Sequence, residues 1–293
     1  MLSILVPTYN NAVDTLILHL FKELENLQTP IEIIVLDDAS TDQDVLQKNA
    51  SVEHLCTYVQ LPNNLGRTHA RNHLAKAAKY ENLLFLDADV LPLKENFIAT
   101  YLKHLGKEKI TLGGIAYCDK VEKEYSLRWK YGKSREARPL SERKKNPFSS
   151  IISMAFLIDK SSFLKLNLTD KNQYGLDTLF SYLIKNHDIE VNHIDNPIIH
   201  NGLESNDLYL KKTLEGLRTL SELEKSKKIP INFRPIQKLG NKINALKLEI
   251  LFFKSFEVIE KPILKNLRSS DPSLRLFDIF RLYHFLKARA KNA

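Results

Sequence analysis

The sequence contains only two cysteines and no apolar run long enough to cross a bilayer. Cys56 and Cys118 stand far apart without metal-ligand spacing, which leaves no basis for a disulfide framework or a zinc site. Residues 1–7 have no basic leader, and Pro7 interrupts their apolar run, unlike a secretory signal. We therefore expect a cytoplasmic protein with reduced thiols that at most lies on the inner face of the membrane.

Glycine-rich phosphate-binding motifs are also missing after the first predicted strand. Neither the G-x-G-x-x-G fingerprint nor a P-loop is found there, so nicotinamide chemistry and P-loop ATP hydrolysis have no support. The 293 residues suffice for one large α/β domain or two modest ones. A formal net charge of +8 favours anionic partners, and charge alone does not choose among nucleotides, nucleic acid and an acidic membrane surface.

Strand-like apolar runs alternate with helical patterns through the first ninety or so residues. Strands are predicted over 2–6, 31–36, 55–61 and 83–86, with helices over 14–27 and 67–80. This alternation predicts an α/β fold with a doubly wound, mostly parallel sheet. Because the carboxyl ends of parallel strands meet at one edge, the polar residues that follow these strands are expected to lie together.

Two carboxylates, Asp87 and Asp89, directly follow the predicted buried strand 83–86. Crowded carboxylates repel each other and lose hydration, and a divalent cation removes that conflict. Mg²⁺ and Mn²⁺ accept carboxylate ligands and keep positions open for water or phosphate. The alternative is a chance pair, because Asp-x-Asp arises about once in a few hundred residues.

Four motifs in this part of the chain match a known family in order and spacing. They are Val6-Pro7-Thr8-Tyr9-Asn10, Asp37-Asp38-Ala39-Ser40, Asn64-Leu65-Gly66-Arg67 with Ala70-Arg71-Asn72, and Phe85-Leu86-Asp87-Ala88-Asp89. Together they resemble the family 2 glycosyltransferases of the GT-A fold over roughly the first two hundred residues. The resemblance implies a GT-A, Rossmann-like sheet flanked by helices and a nucleotide-sugar donor.

The resemblance also implies roles for individual side chains. The residues with an implied nucleotide contact are Pro7, Thr8, Tyr9, Asn10, Asp38, Arg67 and Asp87. Those with an implied contact to Mn²⁺ or Mg²⁺ are Asp87, Asp89 and His200. A histidine at a strand end is also commonly a structural, hydrogen-bonded residue, and that alternative stays open for His200.

Asp177 is the implied base that deprotonates the acceptor hydroxyl. The family places a Glu-Asp pair at this point, and Leu176 stands where the Glu usually is, so this chain lacks any acceptor contact made by that Glu. An acidic residue in the first turn of a helix is also favoured by the helix dipole, which gives Asp177 a purely structural alternative.

Residues 120–146 are rich in Lys and Arg, with interleaved aromatic side chains and few aliphatic ones. This composition is compatible with a basic loop that closes over phosphates or binds the acceptor, with a nucleic-acid patch, or with a solvated surface. From residue 204 onward the pattern is helical, with one helix expected over 236–259. In the last helix, an apolar stripe with basic neighbours favours an anionic bilayer, a homodimer contact or packing on the catalytic domain.

Taken together, the sequence predicts three parts. Residues 1–118 form a nucleotide-sugar-binding half, 119–203 an acceptor-binding half of the same GT-A domain, and 204–293 a helical C-terminal extension. The expected activity is metal-dependent, inverting transfer of a sugar, most simply from a UDP-sugar, to a saccharide or lipid-linked acceptor in polysaccharide or glycoconjugate synthesis. No nucleic acid is expected as a partner. The alternative is a non-catalytic basic scaffold or nucleic-acid-binding module.

Overall fold

The computed structural model describes residues 1–167 and 173–292. Packing divides the chain into two compact units. The first comprises Met1–Cys118, Glu136–Asn172 and Leu183–Gly202, and the second comprises Asp119–Arg135, Gln173–Tyr182 and Leu203–Ala293. The functional division after residues 118 and 203 stays a prediction.

The first unit contains all the strands of the described chain. They are β1 (Leu2–Thr8), β2 (Ile31–Asp37), β3 (Thr57–Gln60), β4 (Asn82–Leu86), β5 (Val90–Pro92), β6 (Lys109–Leu112), β7 (Ile115–Ala116), β8 (Ala155–Asp159), β9 (Glu190–His193) and β10 (Ile198–His200). Seven of them form a sheet in the order β3-β2-β1-β4-β8-β6-β9, and three form a smaller sheet in the order β5-β10-β7. Strands β3, β2, β1 and β4 are parallel, whereas β8 is antiparallel to both of its neighbours.

The helices are α1 (Asp14–Leu24), α2 (Gln43–Ala50), α3 (Arg67–Ala77), α4 (Phe97–Leu102), α5 (Ser126–Tyr131), α6 (Leu140–Lys145), α7 (Lys160–Leu166), α8 (Asp177–Asn186), α9 (Asn206–Lys225), α10 (Pro235–Ala245), α11 (Glu249–Leu267) and α12 (Leu274–Asn292). Within the described residues, none is both long enough and apolar enough to cross a bilayer. The mixed α/β architecture and the mostly parallel sheet confirm the predicted fold class.

The central strands are buried because their sequences are nearly continuous apolar runs, as expected for parallel strands covered on both faces. Every residue of Leu2–Val6 in β1 and of Leu83–Leu86 in β4 is buried. The Phe85 ring stacks on Phe156 of β8 at 5.0 Å between centroids and packs against Phe163 of α7 at 4.4 Å. This aromatic core fixes β4, and with it the loop that carries Asp87 and Asp89.

In the second unit, the apolar stripe of α12 is buried against neighbouring helices. Phe277, Phe280 and Tyr283 belong to one cluster with Phe256 of α11, and the Tyr283 and Phe256 rings stack at 3.9 Å. The single helix predicted over 236–259 is wrong. The chain breaks between α10 and α11, where Lys247 adopts a left-handed φ of 57° that ends a helix.

The basic stretch 120–146 is largely helical, and two of its arginines are buried. Arg128 of α5 packs in the second unit and Arg143 of α6 in the first. A solvated surface is therefore the wrong interpretation for these two residues. Their guanidinium groups are structural.

Candidate functional site

Loops from three neighbouring strands meet at the carboxyl edge of the parallel sheet. The loops after β1 and β2 are joined directly: the Asp38 amide donates to the Thr8 carbonyl at 2.9 Å. The Asn10 amide donates to Ser40 Oγ at 2.8 Å, and Asn10 Oδ1 accepts from the Thr41 amide at 2.8 Å. Asn10 has a φ of 50°, a conformation that asparagine tolerates better than most residues. The two loops thus hold each other in place.

Asp38 connects this pair of loops to the start of α3. Its two carboxylate oxygens accept hydrogen bonds from the amides of Leu65 at 2.8 Å and Gly66 at 2.7 Å. The side chain is buried, and Gly66 takes a φ of 86° that favours glycine. Asp38 therefore shapes the loop at the site, and its contact with a nucleotide base stays a prediction. Among the other residues with an implied nucleotide contact, Thr8 is buried and Tyr9 is exposed.

Asp37 is equally buried but has different hydrogen-bond partners. It accepts from the Ser40 amide at 2.7 Å and from the Tyr58 hydroxyl at 2.7 Å. Burial, together with the hydrogen bond to the Asp37 carboxylate, raises the pKa of Tyr58. This aspartate is structural in the described chain.

Asp87 is held by two arginines of α3. Arg67 donates to one of its carboxylate oxygens at 2.6 Å and Arg71 to the other at 2.8 Å, while the Asp87 amide donates to the Met154 carbonyl at 2.8 Å. Arg71 is buried and also donates to the Ser153 carbonyl. The Arg67 side chain is 43% exposed, so its guanidinium still faces solvent at the edge of the sheet.

Asp89 has a different partner, His200 at the end of β10. His200 pairs with Val90 across the antiparallel β5–β10 contact, which brings its Nε2 to 3.2 Å from Asp89 Oδ2. Burial alone would raise the pKa of Asp89, but the hydrogen bond to His200 and the charges of His200 and Arg67 lower it below its ordinary value. Asp89 is therefore an ionised carboxylate over the physiological pH range.

His200 is itself fixed from several sides. The ring is buried and meets the Tyr117 ring edge to face at 5.7 Å, and the Tyr117 hydroxyl donates to the Glu136 carboxylate. Nδ1 of His200 is buried and has no hydrogen-bond partner among the described residues. A side chain at Gly202 would collide with Asp89, because an added Cβ would lie 2.1 Å from Asp89 Oδ2. The absence of a side chain at this position therefore preserves the Asp89–His200 pair.

These contacts separate the three residues with an implied metal contact. Asp89 and His200 are together, whereas the Asp87 carboxylate faces arginines. In the described part of the chain, no group of three or more His, Cys, Asp or Glu side chains is arranged to hold a cation. A metal at this edge would therefore take at most the Asp89–His200 pair from such side chains and the rest of its ligands from substrate or water.

Asp177 lies in the second unit, as the exposed first residue of α8. The preceding Gly175, at a φ of 96°, packs against α9 so closely that an added Cβ would lie 2.9 Å from Gly216 Cα. Ser181 Oγ donates to the Asp177 carbonyl at 2.8 Å and is contacted by Arg234 at 3.3 Å. Burial lowers the pKa of Arg234, and the negative charge of Asp177 opposes that effect. The acid thus has a nearby, largely desolvated guanidinium.

Two contributors to the edge were not singled out from the sequence. Ser153 supplies a carbonyl to Arg71, and its position in the run before β8 carries no motif. Gly202 could have been identified from the sequence, since a glycine two residues after the predicted ligand His200 indicates close approach of the backbone.

The family model described as Glycosyl transferase family 2 matches residues 3–166, more than half of the chain. The chain belongs to glycosyl transferase family 2. The matched range includes Thr8, Asp38, Arg67, Asp87 and Asp89, and it ends before Asp177 and His200. The predicted family is confirmed.

Two similar proteins are themselves named as glycosyltransferases. The uncharacterized glycosyltransferase YfnE of Bacillus subtilis is 22% identical over 241 residues, which cover 73% of this chain and 61% of YfnE. An uncharacterized glycosyltransferase of Haemophilus influenzae is 34% identical over 89 residues, which cover 30% of this chain and 29% of that protein. The match therefore spans less than two thirds of either relative.

Among solved structures, the chain resembles the mannosyltransferase PcManGT from Pyrobaculum calidifontis in complex with GDP-Man and Mn²⁺. The TM-score is 0.54 at 15% sequence identity, with 99% of this chain and 87% of that chain covered. The similarity shows a shared fold and confirms the predicted GT-A type.

Proposed function

We propose that this chain transfers a sugar from a nucleotide-sugar donor to an acceptor hydroxyl with the help of a divalent cation. The observation that carries the proposal is the Asp89–His200 pair at the carboxyl end of β4, where the loops after β1 and β2 also end. Ligands of open α/β sheets bind at this edge. The net positive charge of the chain agrees with an anionic donor.

Asp89 and His200 fit a cation in type and placement. One carboxylate oxygen and one imidazole nitrogen lie 3.2 Å apart, so both can face one ion without rearrangement of the backbone. His200 must be neutral to act as a ligand through Nε2, and the proton then resides on the buried Nδ1. Mn²⁺ and Mg²⁺ accept this donor set and keep positions for diphosphate oxygens. PcManGT is described with Mn²⁺, which supports the choice of ion.

Each side chain has a defined task in the proposed reaction. The cation would stabilise the negative charge that develops on the departing nucleoside diphosphate. Thr8, Tyr9, Asn10 and Asp38, with Pro7 fixing their loop, would surround the base, and Arg67 would lie beside the nucleotide with Asp87.

Asp177 would accept the proton of the acceptor hydroxyl. The acceptor oxygen then bonds to the anomeric carbon on the face opposite the diphosphate, and the bond from that carbon to the diphosphate breaks. A single displacement of this kind inverts the anomeric configuration.

The base assignment is tested by Asp177→Asn, which keeps the size and shape of the side chain. We expect transfer to fall by about 10²–10⁴-fold, with nucleotide affinity unchanged, because the acid touches the acceptor and not the nucleotide. Asp188→Asn is the matched control, since Asp188 follows the other end of α8 at a φ of 53° that asparagine accepts. Near-normal turnover of Asp177→Asn would show that another group takes the proton.

The donor is best found by screening for nucleotide release. A UDP-sugar is our expectation, and the GDP-Man bound to PcManGT makes GDP-sugars the second set to screen. Calorimetry with UDP and GDP, with and without Mn²⁺, measures the nucleotide step without an acceptor. The proposed acceptor is a saccharide or lipid-linked saccharide of polysaccharide or glycoconjugate synthesis in the cytoplasm. A basic scaffold or nucleic-acid-binding module would show no metal-dependent nucleotide affinity.

A further inference from the structure

The second unit exposes an unusual number of large apolar side chains on two consecutive helices, α10 and α11, and the turn between them. We refer to this helix–turn–helix segment, residues 235–267, as the hairpin. The exposed members are Leu239, Leu246, Leu248, Ile250, Leu251, Val258 and Ile259. Val258 is 82% exposed and Ile250 71%, so these side chains have almost no cover within the described chain. A concentration of apolar surface on this scale marks an interaction site.

The exposed face of α11 is distinct from the face that packs in the core. Phe256, Ile263 and Leu267 are buried toward α12. Leu251 and Val258 are seven residues apart, so they share a side of the helix, and at 100° per residue that side is opposite Phe256. The helix therefore has a second apolar stripe that folding of the unit does not use.

Lysines accompany this stripe. The hairpin carries six of them, all exposed, at Lys238, Lys242, Lys247, Lys254, Lys261 and Lys265. Three acids, Glu249, Glu257 and Glu260, leave a net charge of +3 on the hairpin. On α11, Lys254, Lys261 and Lys265 lie on the same side as Val258, because they are three, four or seven residues from it. On α11, the apolar and cationic side chains thus form one surface.

We propose that the hairpin docks on an anionic phospholipid bilayer. Its Leu, Ile and Val side chains would enter the boundary between headgroups and acyl chains, and its lysines would contact lipid phosphates. A second copy of the chain fits less well, since a two-fold contact would bring the same lysines face to face. The last helix, α12, is not the docking element, because its apolar stripe is already buried against α11 and α9.

Sedimentation of the full chain with vesicles tests the proposal. Vesicles of phosphatidylcholine mixed with phosphatidylglycerol are compared with vesicles of phosphatidylcholine alone. The unmodified chain should sediment with the mixed vesicles and bind much more weakly to the neutral ones. Added salt should release the electrostatic part of the binding.

Three variants separate the contributions. Ile250→Ser with Leu251→Ser should weaken binding at least about tenfold, because both side chains leave water in the docked state. Lys254→Gln with Lys261→Gln should weaken binding by about fivefold for each lysine. The matched control, Leu18→Ser with Leu93→Ser, changes two leucines outside the hairpin that are each more than half exposed, and it should bind as the unmodified chain does.

Absence of sedimentation with either vesicle, or full binding by Ile250→Ser with Leu251→Ser, would overturn the proposal. A dimer in lipid-free solution that the same two substitutions convert to a monomer would assign the surface to a second copy instead, and would overturn it as well. No donor, metal or acceptor is present in this measurement. Its outcome is therefore independent of whether the chain is a transferase.

Discussion

Asp87 and Asp89 lie two residues apart and meet opposite electrostatic environments. Asp87 is compensated by Arg67 and Arg71, so its charge is neutralised within the protein. Asp89 pairs with the His200 imidazole, and its carboxylate is partly exposed. These environments favour Asp89 over Asp87 as the carboxylate that holds the proposed cation, and Asp87 contacts two arginines.

At this scale, Gly202→Ala is the sharpest test of the cation site. The new Cβ would lie 2.1 Å from Asp89 Oδ2 and 2.6 Å from Asp89 Cβ, so Asp89 or the backbone at residue 202 must shift and the Asp89–His200 contact is disturbed. We expect Mn²⁺-dependent nucleotide affinity to fall by tenfold or more, in line with the effect of disturbing the groups that orient metal ligands. Isothermal calorimetry with the preferred nucleoside diphosphate measures the change.

Gly106→Ala is the control for this substitution. An added Cβ there would meet only the end of the Lys109 side chain, at 3.9 Å, so the substitution is accommodated. Equal nucleotide affinity of Gly202→Ala and the unmodified chain would mean that Asp89 does not hold the cation.

The residue contacts at the sheet edge were partly predictable. The apolar runs predict the strands, and the parallel order of the strands predicts that Thr8, Asp38 and Asp89 lie at one edge of the sheet. The same pattern does not reveal that Arg71 is buried against Asp87. That contact depends on how α3 packs on the sheet, which is a tertiary property that sequence spacing does not contain.

At the scale of elements, Arg143 joins α6 to the ends of β6 and β9. Its guanidinium donates to the carbonyls of Leu112 at 3.3 Å, Gly113 at 3.2 Å and Ile194 at 2.9 Å. A buried cation is costly, and burial lowers the pKa of Arg143 although the negative charge of Asp195 opposes that effect. The hydrogen bonds from the guanidinium to the three carbonyls offset part of that cost.

Arg143→Gln should therefore destabilise the first unit. The shorter side chain removes the guanidinium from the Ile194 carbonyl, whereas the carbonyls of Leu112 and Gly113 keep the amides of Ile194 and Asn196 as donors. One buried carbonyl without its donor costs about 1–3 kcal/mol, and we expect a loss of that size in the free energy of unfolding. Urea denaturation measures it. Lys145→Gln, two residues along on the exposed side of α6, should change stability by less than about 0.5 kcal/mol.

The same contact predicts a pH dependence. Burial and the nearby Arg143 lower the pKa of His193, whose Nδ1 lies 3.2 Å from Arg143 Nη1. Neutral His193 accepts this bond, so its contribution is complete above a pH of about 6.5 and is lost as the pH falls below that value. If Arg143→Gln and the unmodified chain lost equal stability between neutral and mildly acidic pH, this coupling would be ruled out.

The C-terminal helices show what the periodicity of apolar residues can predict and what it cannot. The apolar repeat of α12 correctly predicted a helix, but whether its stripe meets lipid or protein depends on the partner helices. Over 236–259, apolar residues recur every three or four positions on both sides of Lys247, so no change of period marks the break there. Pro262 lies inside α11, where a proline would ordinarily be expected to end or kink a helix.

At the scale of the whole molecule, the basic side chains behind the net charge of +8 lie in different environments. Three arginines are buried and contact groups within their own units: Arg71, Arg128 and Arg143. The six lysines of the hairpin, in contrast, face solvent. Composition alone therefore overstates the positive surface available to nucleic acid. It also hides the concentration of exposed lysines on one hairpin.

This division leads to a prediction about salt and metal together. Affinity for the preferred nucleoside diphosphate should require Mn²⁺ and change little between low and physiological salt, because ligand bonds to a cation held by Asp89 and His200 dominate it. If the protein contacted five phosphates of a single-stranded oligonucleotide, the affinity would fall about 100-fold over a fourfold rise in salt. We expect no measurable oligonucleotide binding at physiological salt. Fluorescence anisotropy with a labelled oligonucleotide and calorimetry with the nucleotide measure the two salt dependences. Tight oligonucleotide binding together with metal-independent nucleotide binding would favour a basic nucleic-acid-binding module over a transferase.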